Sequence, residues 1–569
     1  MPTESLTAPK SAIRPRSDAS GSGWTAFFSR PVGQWLSVGV LIAVAILRIA
    51  ATYHVFNHTF DEPSHIAGGI EWWEKGTYTL EPKHTPLARI SVALGPYLAG
   101  VRGTGATVWS ETYPILSENG RYWRNLILGR MGVLPYLILA TVLVFLWTKR
   151  LYGTAAALLA TAVFTQLPVI LAHSSFATTD VPFMAMFGWS LYAFTRWLRE
   201  PSLRRAVEFG VAAGLAVSTK VSTVVYLPAC GIPIVLAYAL AGERRWRELL
   251  RSAAIVIVCA AFVTWAGYRF SHAPLSQVTH SLDRKVTKVF GNESRITAGV
   301  RVVSAHIPVP AYELFQGLRV VHDQNRTGVR GYFLGHVKQG GWWYFFFVAL
   351  ALKTPLAVLL LLAAGAVMVA VRWWHDRSNW EITVPLIAAA MIMISSTASN
   401  LDSGIRYVMP VFLFIAMLSG FALSTLWTRQ SQRALSRVIA IVLFAWLALS
   451  SAWGHPDYLS YFNELAGRDP SRYIVVGDLD WGQDLTRLSA YLQQHSATHL
   501  SIAFDAHFDP VPLGLPPTEM IECDQRPSGW VAIELRRSKL YSECYPWLAS
   551  QHPIAKVGKT ISVYYLDGS

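Results

Sequence analysis

The sequence predicts an all-α polytopic membrane protein of about eleven transmembrane helices, followed by a small extracytoplasmic α/β domain. Three observations predict it. Of 569 residues, 52% are hydrophobic and only 15% charged, with a mean hydropathy of +0.33; a soluble protein of this size carries about 25% charged residues. Apolar stretches of about 20 residues, the length of one bilayer crossing, recur along the chain. Lys and Arg collect in alternate connections between them.

The stretches are 34–56, 125–148, 151–172, 178–198, 204–219, 221–241, 250–270, 343–371, 381–399, 405–427 and 435–454. The hairpin 204–219 and 221–241 matters most, because losing it would invert everything that follows. Residues 1–33 are polar, with Lys10, Arg14, Arg16 and Arg30, and read as a cytoplasmic tail rather than a signal peptide. The transmembrane module then runs from 34 to 455 and the extracytoplasmic domain from 456 to 569.

The net charge of +14 records orientation, not a nucleic-acid partner. In the alternate loops fall Lys149 and Arg150; Arg196, Arg199, Arg204 and Arg205; Arg244, Arg245, Arg247 and Arg251; Arg372 and Arg377; and Arg429, Arg433 and Arg437. Short loops rich in Lys and Arg face the cytoplasm. The N-terminus is then expected inside and the C-terminus outside, in a multi-pass, bacterial-type plasma (inner) membrane.

This orientation places loops 57–124 and 271–342 and segment 456–569 on the outer face. In the first loop, Ile66, Ile70 and Trp73 recur at helical spacing, as in a helix lying on the membrane surface. Another helix is expected from Pro86, capped by Thr85. In the C-terminal segment, YIVVG and HLSIAF read as strands and DLTRLSAYLQQ as a helix. Cys230 and Cys259 fall within spans, whereas Cys523 and Cys544 lie outside; an oxidising compartment would let them pair, and the residues leave the pairing open. The sequons at Asn57, Asn292 and Asn325 are short enough to arise by chance.

The chemistry concentrates at the outer ends of the spans. Asp61 and Glu62 follow the first one. His173 and Asp180 flank the outer turn between the third and fourth, Lys220 ends the fifth, Lys353 lies near the outer end of the eighth, and Arg406 begins the tenth. Each has an ordinary reading. Asp61 or Asp180 caps a helix, Lys220 and Lys353 snorkel to the interface, Arg406 meets lipid headgroups, and His65 and His84 sit on the surface unless the loop folds over a site. The run WWYFFF at 342–347 reads as an interfacial aromatic belt. Taken together, the set has a mechanism. Cations at the membrane surface hold a phosphate whose lipid tail stays in the bilayer, and a carboxylate takes the proton from an attacking hydroxyl. No Gly-rich phosphate loop is present, and this chemistry needs no nucleotide.

FDEPSHIAGG followed by HTPLARI resembles the first outer loop of GT-C superfamily membrane glycosyltransferases, in particular the protein O-mannosyltransferase and aminoarabinose transferase group. ATTDVPFM, STKVSTVVYLPA and LGRMGVLPYLILATVLVFLWTKRLYG are similar to further segments of that group. So are YFLGHVKQGGWWYFFFVALALKTPL, LDSGIRYVMPVF and SYFNELAGRDPSRYIVVGDLDWGQDL, and the likeness spans roughly residues 34–490. It implies inverting transfer of a hexosyl or pentosyl group from a polyprenyl-phosphate sugar. By that resemblance Asp61 would be the general base, Glu62 would orient the acceptor or support the loop, and Asp180 would position substrate or its neighbours. Lys220 and Arg406, with Lys353, would face the donor phosphate, while His84 and Arg89 would serve acceptor contacts or loop support. Thr85 departs from the group, which more often has proline or another polar residue there. No metal ligand is assigned; a divalent metal remains open, as does the acceptor, whether protein Ser or Thr or an envelope glycolipid or polysaccharide. The rivals are a proton-coupled secondary transporter and a non-catalytic scaffold. Transporters place such acids at the bilayer midplane between related repeats, and no repeat is visible here.

Overall fold

In the computed structural model, residues 27–28, 30–103, 114–117, 119–505 and 508–567 are described, without the side chains of 280–284. Most of the tail 1–33 therefore lies outside the described residues. Every expected span is helical. Among the described residues, seven helices are long and apolar enough to cross a membrane, or eight if the bent pair Thr154–Gln166 and Pro168–Ser174 counts as one span. The chain is a multi-pass membrane protein. Val411–Thr428 is the most enclosed of the seven, with 78% of its apolar window buried. Gly420 explains how closely it approaches Thr154–Gln166: a Cβ there would lie 2.4 Å from the Ala160 backbone nitrogen.

Two expected spans are broken, both for the same reason. Proline disfavours helical geometry in the residue before it. Leu167, before Pro168, is extended, and the helix axis turns by 61° at this point. Thr354, before Pro355, likewise separates Phe345–Lys353 from Leu356–His375. The first break delivers His173–Thr178 to one end of the bundle; the second leaves Lys353 at a helix terminus.

The arginine-rich loops share the other end. Arg150 pairs with Glu381 at 2.7 Å, and Arg199 with Glu243 at 2.9 Å and Glu381 at 4.0 Å. Asp180–Arg199 is a helix of 20 residues from Asp180 to Arg199, a rise of about 30 Å. Leu203–Val217 runs back, carrying Arg204 and Arg205 in its first turn and Lys220 just beyond its last. The candidate residues are thereby held at the end opposite the arginines.

In loop 57–124, Glu62–Glu74 and Pro86–Leu98 form the two expected helices. The first does not lie with one face on the membrane surface. From Glu62 to Glu71 almost every residue is buried, because Gly68 and Gly69 let it sink against its neighbour: a Cβ on Gly69 would come within 2.1 Å of the Arg89 carbonyl oxygen. Thr85 precedes Pro86 but does not cap the helix with its side chain, and its buried Oγ1 has no hydrogen-bond partner among the described residues.

In loop 271–342, β1 (His272–Pro274) pairs with β2 (Pro308–Pro310), and β3 (Arg330–Phe333) forms a hairpin with β4 (His336–Gln339). Leu334 and Gly335 both have positive φ at its two-residue turn, the geometry that matches strand twist. The WWYFFF run is divided: Trp343 is 67% exposed, whereas Phe345 and Phe346 are core residues, Phe345 packing on the buried Phe333 and Phe346 on Phe345. Only part of it suits an interfacial belt.

The C-terminal segment carries a mixed sheet. β5 (Leu500–Ala503) lies parallel to both β6 (Thr518–Met520) and β7 (Gly529–Glu534), and β9 (Ile561–Leu566) runs antiparallel to β7 and to β8 (Ala555–Val557). The expected strand HLSIAF supplies β5, and the expected helix is Leu485–Gln494. YIVVG makes only isolated bridges, Ile474 to Phe333 and Val476 to Asp480, because this stretch packs against the membrane module rather than joining the sheet. Cys523 and Cys544 are joined by a disulfide.

Candidate active site at the ends of the helices

Asp61 precedes Glu62–Glu74 at the capping position, yet its carboxylate makes no cap. It pairs with the Arg406 guanidinium, whose Nε also donates to the Ser403 carbonyl at 3.0 Å. The Asp61 side chain keeps 22% exposure and that of Arg406 14%, so the pair opens to solvent. Burial alone would raise the Asp61 carboxyl; Arg406, with His65 and Lys83, instead holds it well below the usual carboxylate range.

Glu62 points the other way and is fully enclosed. Its Oε1 accepts from Arg130 Nε and the Ala177 N–H, both at 2.9 Å, and Oε2 from Arg130 Nη2 at 3.0 Å and the Thr59 N–H at 2.8 Å. Burial opposes its charge, and Arg130 with the two backbone donors outweighs that cost and lowers its pKa. Arg130 also donates to the carbonyls of Tyr53, Phe56 and Asn57. Glu62 is thus the centre of a closed joint that fixes Asp61 beside the turn 175–179.

Beyond that turn, Asp180 accepts from Lys220 Nζ at 2.7 Å. Their side chains are 2% and 13% exposed, and the ammonium lies 4.9 Å from the centre of the Tyr407 ring. Arg406 and Tyr407 are consecutive, so one short segment brings the two acid–base pairs together.

The remaining candidates serve different surroundings. Lys353 is buried, donating to the carbonyls of Leu459 at 2.5 Å and Asp478 at 2.7 Å. Its ammonium joins the C-terminal segment to a helix end. Arg89 is enclosed among Glu81, Tyr78 and His65. Its Nε donates to His65 Nδ1 at 3.2 Å, leaving the ring proton on Nε2; burial and Arg89 pull His65 down to about 4, so it is neutral at physiological pH. His84 packs edge-to-face on His65 at 4.9 Å, and burial holds it well below its ordinary value too. Neither histidine belongs to an open surface, because the loop folds over itself. Among the described residues no three His, Cys, Asp or Glu side chains cluster so as to hold a metal.

Two site residues escaped the sequence reading. Arg130 sits in the otherwise apolar LGRMGVLPY, and an arginine at a span end was the available signal. Trp481 comes from the C-terminal segment, with its ring centre 4.3 Å from the Arg406 guanidinium carbon. Its surroundings, DLDWGQD, are unusually acidic, but only the folded chain reveals which residue it meets. Asn57 is also committed: it donates to the His58 and Gly482 carbonyls and accepts from the Leu485 N–H, so this sequon is closed.

Residues 130–268 match the model of the dolichyl-phosphate-mannose-protein mannosyltransferase family. No curated protein matches the chain by sequence. In three dimensions the chain is similar to ArnT from Cupriavidus metallidurans bound to undecaprenyl phosphate, at 13% identity and a TM-score of 0.50 over 94% of this chain and 99% of that one. It is also similar to the S. cerevisiae protein O-mannosyltransferase Pmt1–Pmt2 complex bound to the sugar donor, at 11% identity and a TM-score of 0.50 over 85% of this chain and 94% of that one. At such identities the likeness speaks for the fold, while the family match covers the stretch from Arg130 through Asp180 and Lys220. The resemblance read from the motifs therefore holds: the chain shares the fold of these two proteins and carries the sequence pattern of the mannosyltransferase family across residues 130–268.

Proposed function

We propose that this protein transfers a sugar from a polyprenyl-phosphate donor to an acceptor hydroxyl on the extracytoplasmic face of a bacterial-type plasma membrane. Asp61 is the general base. The observation that carries the reading is the partly open Asp61–Arg406 pair beside the Asp180–Lys220 pair. It offers one accessible carboxylate and two cations at the end of the bundle opposite the arginine-rich loops. That end is the outer one if those loops face the cytoplasm.

The acceptor oxygen attacks the anomeric carbon as its proton passes to Asp61, and the bond from that carbon to the phosphate oxygen breaks with inversion. The leaving polyprenyl phosphate keeps the electron pair, stabilised by Arg406 and Lys220. In the resting pair Arg406 damps the basicity of Asp61. A phosphate that engages the guanidinium draws it off and raises that basicity, so donor binding prepares the base. Asp180 orients Lys220, and Glu62 with Arg130 supports the loop. The acceptor is a protein Ser or Thr hydroxyl or an envelope glycolipid or polysaccharide; the work of both cations is the same in each case.

The test is transfer from a panel of radiolabelled polyprenyl-phosphate sugars to extracted envelope acceptors, by purified wild type and Asp61→Asn. Label moved by wild type alone supports the reading and names the sugar. Transfer by both keeps the enzyme but removes Asp61 as base. No transfer from any donor by folded protein overturns the glycosyltransferase in favour of a transporter.

A further inference from the structure

Arg406 reaches its site at the end of a short segment that must be held from outside. Two glycines make the contact. Gly404 and Gly477 have φ of 99° and 73°, backbone that side-chain-bearing residues rarely adopt. They pack so closely that a Cβ on Gly477 would lie 2.6 Å from the Ser403 carbonyl oxygen. The Ile405 N–H then donates to both carboxylate oxygens of Asp478 at 3.1 Å. Three residues further on comes Trp481.

Trp481 is 2% exposed and meets three of the segments that build the site. Its carbonyl accepts from the Phe60 N–H at 3.1 Å, next to Asp61. Its ring lies 5.9 Å from both His173 and Phe176, in the segment that joins Glu62 to Asp180. Gln483 Oε1 accepts from its N–H at 2.8 Å, and Gln483 Nε2 donates to the Leu479 carbonyl at 3.0 Å, which stiffens the turn. Arg406 Nε donates to Ser403 and one Nη pairs with Asp61, and the plane those bonds set is backed by the Trp481 indole, 4.3 Å from the guanidinium carbon and nearer than the Tyr407 ring at 5.6 Å. An indole is the strongest aromatic platform for a cation, and it restrains the plane without using an N–H.

We infer that Trp481 is a positioning residue for donor binding: the C-terminal segment supplies the platform on which Arg406 turns its free N–H groups to the sugar donor's phosphate. This rests on the glycosyltransferase reading. The C-terminal segment is thereby part of the active centre.

The experiment compares Trp481→Phe, Trp481→Leu and Trp481→Ala in full-length protein. Its readouts are transfer kinetics with varied donor, binding of polyprenyl phosphate without acceptor, and thermal unfolding. Loss of the aromatic face is expected to weaken donor KM and polyprenyl-phosphate binding by roughly tenfold in Leu and Ala, with kcat changed less. Phe is expected to restore most of the loss, and in an Arg406→Ala background the Trp481 substitutions should cost nothing further. Equal donor KM and lipid-phosphate binding in wild type and Trp481→Leu would overturn the inference. So would a loss in Trp481→Leu that persists at the same size without Arg406. If wild type neither transfers sugar nor binds polyprenyl phosphate, the underlying reading fails instead.

Discussion

Asp61 and Glu62 are consecutive carboxylates with opposite surroundings, and their substitutions should separate accordingly. Asp61→Asn is expected to lose transfer while unfolding at nearly the wild-type temperature, since the lost partner is partly solvated. Glu62→Gln removes the charge that compensates a buried arginine. Breaking such a pair costs about 3–5 kcal/mol, and a clear fall in the unfolding midpoint should accompany lost activity. The pH profile tests how Asp61 works. Its carboxyl is depressed while Arg406 is its partner, and folding stability from that pair is present above the unfolded carboxylate value and lost as pH falls through the folded one. When donor phosphate takes Arg406, the Asp61 pKa must rise. The acidic limb of kcat, which reports the bound enzyme, is therefore expected at higher pH than the limb of kcat/KM. Coincident limbs would leave donor-prepared basicity without support. The DE pair itself was legible in the sequence; which member stays accessible was not, because that depends on Arg130, 68 residues further on.

At the scale of elements, the breaks at Leu167-Pro168 and Thr354-Pro355 follow from local sterics. They were readable in principle, although hydropathy alone joined the halves. The burial of Glu62–Glu74 was not readable, since two glycines admit both a surface helix and a tightly packed one. Gly69→Val tests the packed arrangement: its side chain would enter the Arg89 carbonyl and the Ala93 methyl. Overpacking of this kind costs about 1–3 kcal/mol, so a lower unfolding midpoint and weakened transfer are expected together. β7 ends at Glu534, and burial raises the pKa of Glu534 and of neighbouring Asp480, each the more for other carboxylates nearby, against the opposing pull of Arg536. Such groups contribute stability that is complete below the unfolded carboxylate value of about 4 and declines as pH rises through the folded values. Amide exchange in β7, corrected for its intrinsic rate, should accelerate as pH rises from about 4 to about 6, the range between the unfolded and folded values of Asp480, and Asp480→Asn should flatten that dependence.

For the whole molecule, the question is how the C-terminal segment stays seated on the membrane helices. Lys353 and Asn57 bridge the two parts through backbone groups of Leu459, Asp478, Gly482 and Leu485. Lys353→Met is expected to open residues 456–567 to limited proteolysis before the helices are cut. A phosphate ligand would behave differently, raising donor KM in a protease-resistant protein. By itself the sequence determined the membrane class, the helical stretches, the side on which Lys and Arg collect and the acids and cations at the far ends. These follow from transfer free energies and periodicities carried by each segment alone. Tertiary structure decided that Asp61 meets Arg406, that Glu62 is closed within a joint, that Lys353 bonds the carbonyls of Leu459 and Asp478 and that Trp481 faces Arg406. Those outcomes depend on contacts between residues up to 428 positions apart, fixed by close packing and by the need to pair each buried charge, and no local pattern encodes them.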